Sequence, residues 1–173
     1  MLSRIQRILK HRWLDRATTQ RAIPPDMVRR LGQRVAASEQ RHSGEVRIYV
    51  EAGLPLSYLW RKATTRQITR QRALTMFGKL RVWDTAHNNG VLIYLLLAER
   101  SIELVADRGL NNVVEPKVWQ AMVLRMRGAF RQGQFEDGLT TALEEVSALL
   151  VQHFPLQPGE TNPNELPDAP VLN

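Results

Sequence analysis

Two apolar runs stand in the middle of the chain, Val91–Leu97 and Ile102–Asp107, separated by Ala98, Glu99, Arg100 and Ser101. The first run is apolar at every position, the pattern of a central strand covered on both faces. In the second, Ile102, Leu104 and Ala106 alternate with Glu103, Val105 and Asp107, which predicts an outer strand. Upstream, Glu45–Glu51 alternates Val46, Ile48 and Val50 against Arg47 and Tyr49, predicting a strand with one face in the core.

The remaining periodicity is helical. Pro24-Pro25-Asp26 predicts a helix start with Asp26 as N-cap, and Val28, Leu31, Val35 and Ser38 mark one face of a helix reaching about Gln40. Residues 56–80 predict a helix with Leu59, Trp60, Ala63, Ala73, Leu74 and Phe77 as its apolar contacts. Its polar middle, Arg61 to Arg72, predicts a kink or an exposed turn. Two more helices follow: Glu115–Gln132, with Val118, Met122, Leu124, Met126 and Phe130 inward, and Phe135–Phe154, with Leu139, Leu143, Val146 and Leu150 inward. Gly133 separates them. A strand, a crossover of about 40 residues holding a helix, and a second strand make a right-handed βαβ unit. The hairpin adds an antiparallel strand, so the chain is expected to be α/β with a small mixed sheet.

The ends differ from the middle. Residues 1–23 form a basic segment in which Leu2, Ile5, Leu9 and Trp13 fall at helical spacing, a short amphipathic helix suited to a membrane surface, a partner, or the domain itself. Residues 24–155 are the expected domain. From residue 156 to 173 the chain is rich in Pro and acidic residues, a composition that predicts a disordered tail.

Composition narrows the function classes. The 173 residues contain no cysteine, which excludes disulfides, thiolate metal sites and cysteine nucleophiles. No signal-peptide core or membrane-length apolar run is evident, so a cytoplasmic location is expected, with peripheral contact at the inner membrane face through residues 1–16. The net charge is +7, and because residues 155–173 hold three acids and no Lys or Arg, the remainder carries +10. Such a body attracts acidic partners, anionic lipid or, less readily, nucleic acid, for which no recognition motif appears. Arg61, Lys62, Arg66, Arg70 and Arg72 lie in a stretch without acids between Glu51 and Asp84, and they form the expected basic surface.

Catalytic signatures are missing: there is no G-x-G-x-x-G, Walker A loop, G-x-S-x-G elbow or H-E-x-x-H, and His11, His42, His87 and His153 show no ligand spacing. The best candidate loop is the polar turn before the second strand, with Trp83, Thr85, His87, Asn88 and, after the third strand, Arg108. Asp84, Asn89 and Asp107 offer oxygen ligands of the kind Ca²⁺ or Mg²⁺ takes, and His87 has the intrinsic pKa of a general base. The same Asn-Asn-Gly is also ordinary turn chemistry. No cofactor is required by this reading; a weakly bound Ca²⁺ or Mg²⁺ is the one that fits. Glu39 and Glu45, flanking the first strand, are weaker candidates.

Taken in order, GEVRIYVE, RALTMFGKLRVWDTAHNNGVLIYLLLAER, VADRGL, F-x-x-G-x-F-E-x-G-L and a closing HFP resemble the TPM-domain family over residues 26–155. The resemblance implies a three-layer α/β/α sandwich. It also implies links to acid phosphatase activity and to calcium, and a LemA-like membrane protein as partner. The family's D-x-G stands here as Asn88-Asn89-Gly90, and its Gly-x-Gly-Leu-Glu as Asp107-Arg108-Gly109-Leu110-Asn111, so carboxylates are removed or relocated. The expected role is therefore a non-catalytic accessory module that engages a membrane protein or acidic partner. A metal-dependent phosphatase using loop 84–90 and Asp107 is the alternative.

Overall fold

The computed structural model describes residues 2–173, with side chains from residue 5 onward, so Leu2 of the amphipathic stripe lies outside the described side chains. The elements in chain order are α1 (Leu2–Arg12), α2 (Arg16–Ala22), α3 (Pro25–Glu39), β1 (Val46–Glu51), α4 (Leu56–Leu59), α5 (Thr65–Lys79), β2 (Val91–Leu96), β3 (Ser101–Ala106), α6 (Arg108–Asn111), α7 (Pro116–Arg131), α8 (Phe135–His153) and β4 (Val171–Leu172). They form a mixed sheet in the order β3-β2-β1-β4, with β1 parallel to β2 and to β4, and β2 antiparallel to β3.

Strand alternation divides the core into two clusters. Val46, Ile48, Val91, Ile93, Ile102 and Leu104 pack toward α3, α7 and α8, while Tyr49, Leu92, Tyr94 and Val105 pack toward α4 and α5. That is the expected sandwich. β2 is buried at every position, as its unbroken apolar run predicts. β1 is also buried throughout, rather than on one face, because Arg47 lies beneath residue 169 and Tyr49 beneath α5's layer.

Several local expectations change. Pro24, not Asp26, occupies the N-cap of α3, and Asp26 sits inside the first turn, paired with Arg30 at 2.6 Å. The interruption expected in the 56–80 helix falls at residues 60–64, dividing it into α4 and α5, with Thr64 forming a capping box with Gln67. Leu74 and Leu124 face solvent. Each shares a face with exposed residues three or four positions away, Arg70 and Gly78 for Leu74 and Gln120 and Gly128 for Leu124, while Trp119, Met122 and Met126 hold the inward face of α7. Trp60 is 62% exposed.

The largest difference concerns residues 156–173, expected to be disordered. The structure lays this segment against the domain. Asn162 and the Leu166 N–H both donate to the buried Glu45 carboxylate, Leu166 is buried, and β4 pairs with Tyr49 and Val50. Poor core composition is offset by hydrogen bonds to polar groups that β1 would otherwise leave buried and unpaired.

Candidate functional site

Loop 84–90 closes onto the end of β3. Asn88 holds a left-handed backbone (φ 53°), as the turn chemistry of Asn-Asn-Gly predicts, and its carbonyl accepts the Gly109 N–H at 2.8 Å. A Cβ at Gly109 would come within 2.5 Å of that carbonyl oxygen, which explains the glycine. Arg108 Nε donates to Asn88 Oδ1 at 2.9 Å. Asp107 is the N-cap of α6, its Oδ1 accepting the Arg108 N–H at 2.7 Å. Thr85 Oγ1 accepts the Asn89 N–H at 3.1 Å, and the Ala86 N–H donates to Glu165. His87 and Trp83 are exposed.

The candidate ligands do not converge. Asp84 is exposed and ion-paired with Arg81. Asn89 Oδ1 and Asp107 Oδ2 are both buried without a hydrogen-bond partner, which is what a cation could use. They lie, however, on opposite faces. Asn89 shares the parity of Val91, toward α8, and its Nδ2 donates to Ser43 at 3.3 Å. Asp107 shares the parity of Val105, toward α5. Among the described residues, no cluster of three acids or histidines forms a metal-ligating group. The donor set does not fit one shared Ca²⁺ or Mg²⁺ site. The loop also stands at the amino ends of parallel β1 and β2, whereas open α/β sheets bind ligands at their carboxyl ends.

The expected basic surface is divided. Lys62, Arg66 and Arg70 are exposed, and Arg61 lies over the Tyr58 ring at 3.8 Å. Arg72 is not part of that surface. It is buried, with Nε donating to Glu51 Oε2 at 2.9 Å, and Tyr94 Oη donates to the same oxygen at 2.6 Å. Burial opposes the Arg72 charge, but Glu51 raises its pKa above the ordinary arginine value. Burial, with Glu51 beside it, also pushes the Tyr49 phenol up to about 12. No spacing rule reveals this network, because Glu51 and Arg72 meet only through the fold.

A second arrangement lies at the carboxyl end of β1. Helix α1 docks there through polar groups. His11 Nδ1 accepts the Leu54 N–H at 2.9 Å, which leaves its hydrogen on Nε2, donated to Glu99 at 2.9 Å. Lys10 also pairs with Glu99, and Arg7 donates to the carbonyls of Leu59, Arg61 and Ala63. Burial works against the Glu99 carboxylate, but His11 and Lys10 hold its pKa below the ordinary value. A Cβ at Gly53 would meet the His11 carbonyl at 2.9 Å, so only glycine admits the helix this closely. Ile8 and Leu14 add apolar contacts. Ile5, Leu9 and Trp13 then point to solvent, Trp13 at 82% exposure, as do Leu56 and Trp60 of the neighbouring α4 turn. The amphipathic spacing was legible in sequence; the side that faces outward was not.

No curated protein matches the chain. Among solved structures, the NMR structure of the BA42 protein from the psychrophilic bacterium Bizionia argentinensis aligns with a TM-score of 0.71 at 24% identity, covering 86% of this chain and 94% of that one. At that identity the likeness is one of fold. A family model described as the TPM domain matches residues 18–149, most of the chain and nearly all of the sandwich. The chain belongs to the TPM-domain family.

Proposed function

We propose that the protein is an accessory binding module that seats on an anionic membrane surface through α1 and α4. One observation carries this reading: α1 meets the domain through Arg7, Ile8 and His11 and leaves apolar Ile5 and Leu9, with Trp13 just beyond its end, to solvent. A helix that only packs on its own domain does the reverse. Leu56 and Trp60 widen the apolar face, and exposed Arg12, Arg61 and Lys62, in the same stretches of chain, add positive charge. Each such cation contributes about 1 kcal/mol beside an anionic leaflet, and a single short apolar helix needs that support to hold. Among the described residues, no helix is long and apolar enough to cross a membrane. This seat would bring the protein beside membrane-protein partners such as the LemA-like one the resemblance implies.

Co-sedimentation with phosphatidylserine-containing vesicles and with neutral vesicles tests the proposal. Binding is expected only to the anionic vesicles, weakening as salt rises, with a blue-shifted tryptophan emission. Trp13→Ala with Trp60→Ala should weaken it at least about tenfold, while exposed Leu124→Ala leaves it unchanged. Absence of binding to anionic vesicles at low salt overturns the reading.

A further inference from the structure

Among the described residues, the sheet leaves its β3 edge without a neighbouring strand. The Asp107 N–H donates to the Gly90 carbonyl at 2.9 Å, and antiparallel pairs alternate from there. Val105, Glu103 and Ser101 therefore turn their main-chain groups toward β2, while Ala106, Leu104 and Ile102 turn theirs away. Side chains occupy two of these three outward carbonyls. Arg70 Nη1 donates to Leu104 O, and Asn111 Nδ2 donates to Ala106 O at 2.6 Å. The outward N–H groups of Ile102, Leu104 and Ala106 have no hydrogen-bond acceptor among the described residues.

This edge runs along a groove of about 760 Å³ between α5 and α7. The α5 wall carries Arg66 and Arg70; the α7 wall carries Trp119, Val123 and Leu124, with Arg127 beyond them. Leu124 is 63% exposed. Two lining side chains leave polar atoms unpaired, Trp119 Nε1 and Ser101 Oγ. Glu103 lies on the α5 side, facing both arginines, with Arg70 at 3.5 Å. Glu99, at one end, is already held by Lys10 and His11. The rim thus retains an excess of positive charge.

We propose that this groove binds an extended acidic segment of a partner protein, which joins the sheet as a strand beside β3. The unpaired donors of β3 call for carbonyl acceptors, and an added strand supplies them at the right repeat. Side chains of an added strand alternate between the two walls. One set meets Arg66 and Arg70; the other meets Trp119, Val123 and Leu124. The segment therefore alternates acidic and apolar residues. Arg70 acts as a stand-in for the missing strand: an incoming N–H takes over Leu104 O, and the guanidinium turns to a carboxylate of the newcomer. This inference concerns a different surface from the membrane seat and is independent of it.

The test is a backbone-amide NMR titration of the full chain with a nine-residue peptide alternating Glu and Val, against the same peptide with Lys in place of Glu. The Glu peptide is expected to shift and protect the amides of Ile102, Leu104 and Ala106; the Lys peptide leaves them unmoved. Arg66→Glu with Arg70→Glu, both at exposed positions, should weaken binding at least about tenfold with the spectrum otherwise native. Ala106→Pro removes an outward N–H at a small side chain without breaking the β2 ladder, and it should weaken binding of the Glu peptide with Arg66 and Arg70 intact. Equal binding of both peptides, or unmoved 102–106 amides at millimolar Glu peptide, overturns the proposal. So does a concentration-dependent dimer already protecting those amides, which would make a second copy the occupant.

Discussion

The two edges of the sheet are closed in different ways. At β1 the covering is main chain: Asn173 donates its N–H to Val50 O at 2.9 Å, and the Ala52 N–H donates to Asn173 O at 3.0 Å. Where β4 does not reach, Glu39 Oε1 accepts the Val46 N–H at 2.8 Å, and Thr19 of α2 covers the outer side through Asn173 O. At β3, among the described residues, only Arg70 and Asn111 cover the edge, and they reach carbonyls alone. Two arginines two residues apart on α5 carry the contrast. Arg72 points into the buried Glu51 network; Arg70 rests on an open strand. One edge is sealed into the stability of the fold, and the other is closed only loosely.

Four measurements would break or sharpen this contrast. Deleting residues 162–173 removes β4, the Leu166 burial and the partners of Glu45; urea unfolding should show a loss of about 4 kcal/mol or more. Arg72→Ala leaves Glu51 buried without its counter-charge, held by Tyr94 alone on Oε2, an expected loss of about 3–5 kcal/mol by the same assay. A loss below 1 kcal/mol would mean that the pair opens to water. Glu39 is pushed up to about 8, chiefly by burial and further by Glu45 and Asp168, against the Val46 N–H and Arg47. The folded state then keeps a proton that the unfolded chain gives up near 4.5, so stability falls as pH rises from 4.5 through 8. Glu39→Gln should flatten that fall, gaining roughly 2–4 kcal/mol at pH 8.5 and nothing at pH 4. Arg70→Ala, on the other edge, should change stability by less than about 1 kcal/mol, while faster hydrogen exchange appears in residues 102–106.

Periodicity revealed most of the fold. Alternation at Ile102, Leu104 and Ala106 identified the outer strand, the unbroken run at 91–97 the central one, and Asn88-Asn89-Gly90 the left-handed turn. Failures arose where a residue's setting depends on distant chain. Arg70 and Arg72 look alike in sequence, and only docking of α5 on the sheet separates a surface cation from a buried partner of Glu51. The 156–173 segment reads as disordered because its order comes from Glu45 and β1, not from its own composition. Asp107 and Asn89 are both at the same end of the sheet, yet a pleat puts them on opposite faces, so proximity in sequence overstated the site. A Ca²⁺ titration in which residues 89 and 107 shift with one common affinity would restore a single site there.

The pairing of β1 with β4 also has a temporal side. Glu51 and Asn173 are 122 residues apart, yet the second completes the edge of the first. At ordinary elongation rates, on the order of ten seconds pass between their synthesis. Throughout that interval the Val50 carbonyl and the Ala52 N–H, on the outer side of β1's far end, lack their partner and offer a template for pairing with neighbouring chains on the same messenger. The prolines at 155, 158, 163, 167 and 170 hold the following stretch out of competing helix or strand until 171–173 arrives. Arg47, already positioned on β1, then donates to the Ala169 carbonyl at 3.3 Å just ahead of the strand, a guide for where the late-arriving segment must land.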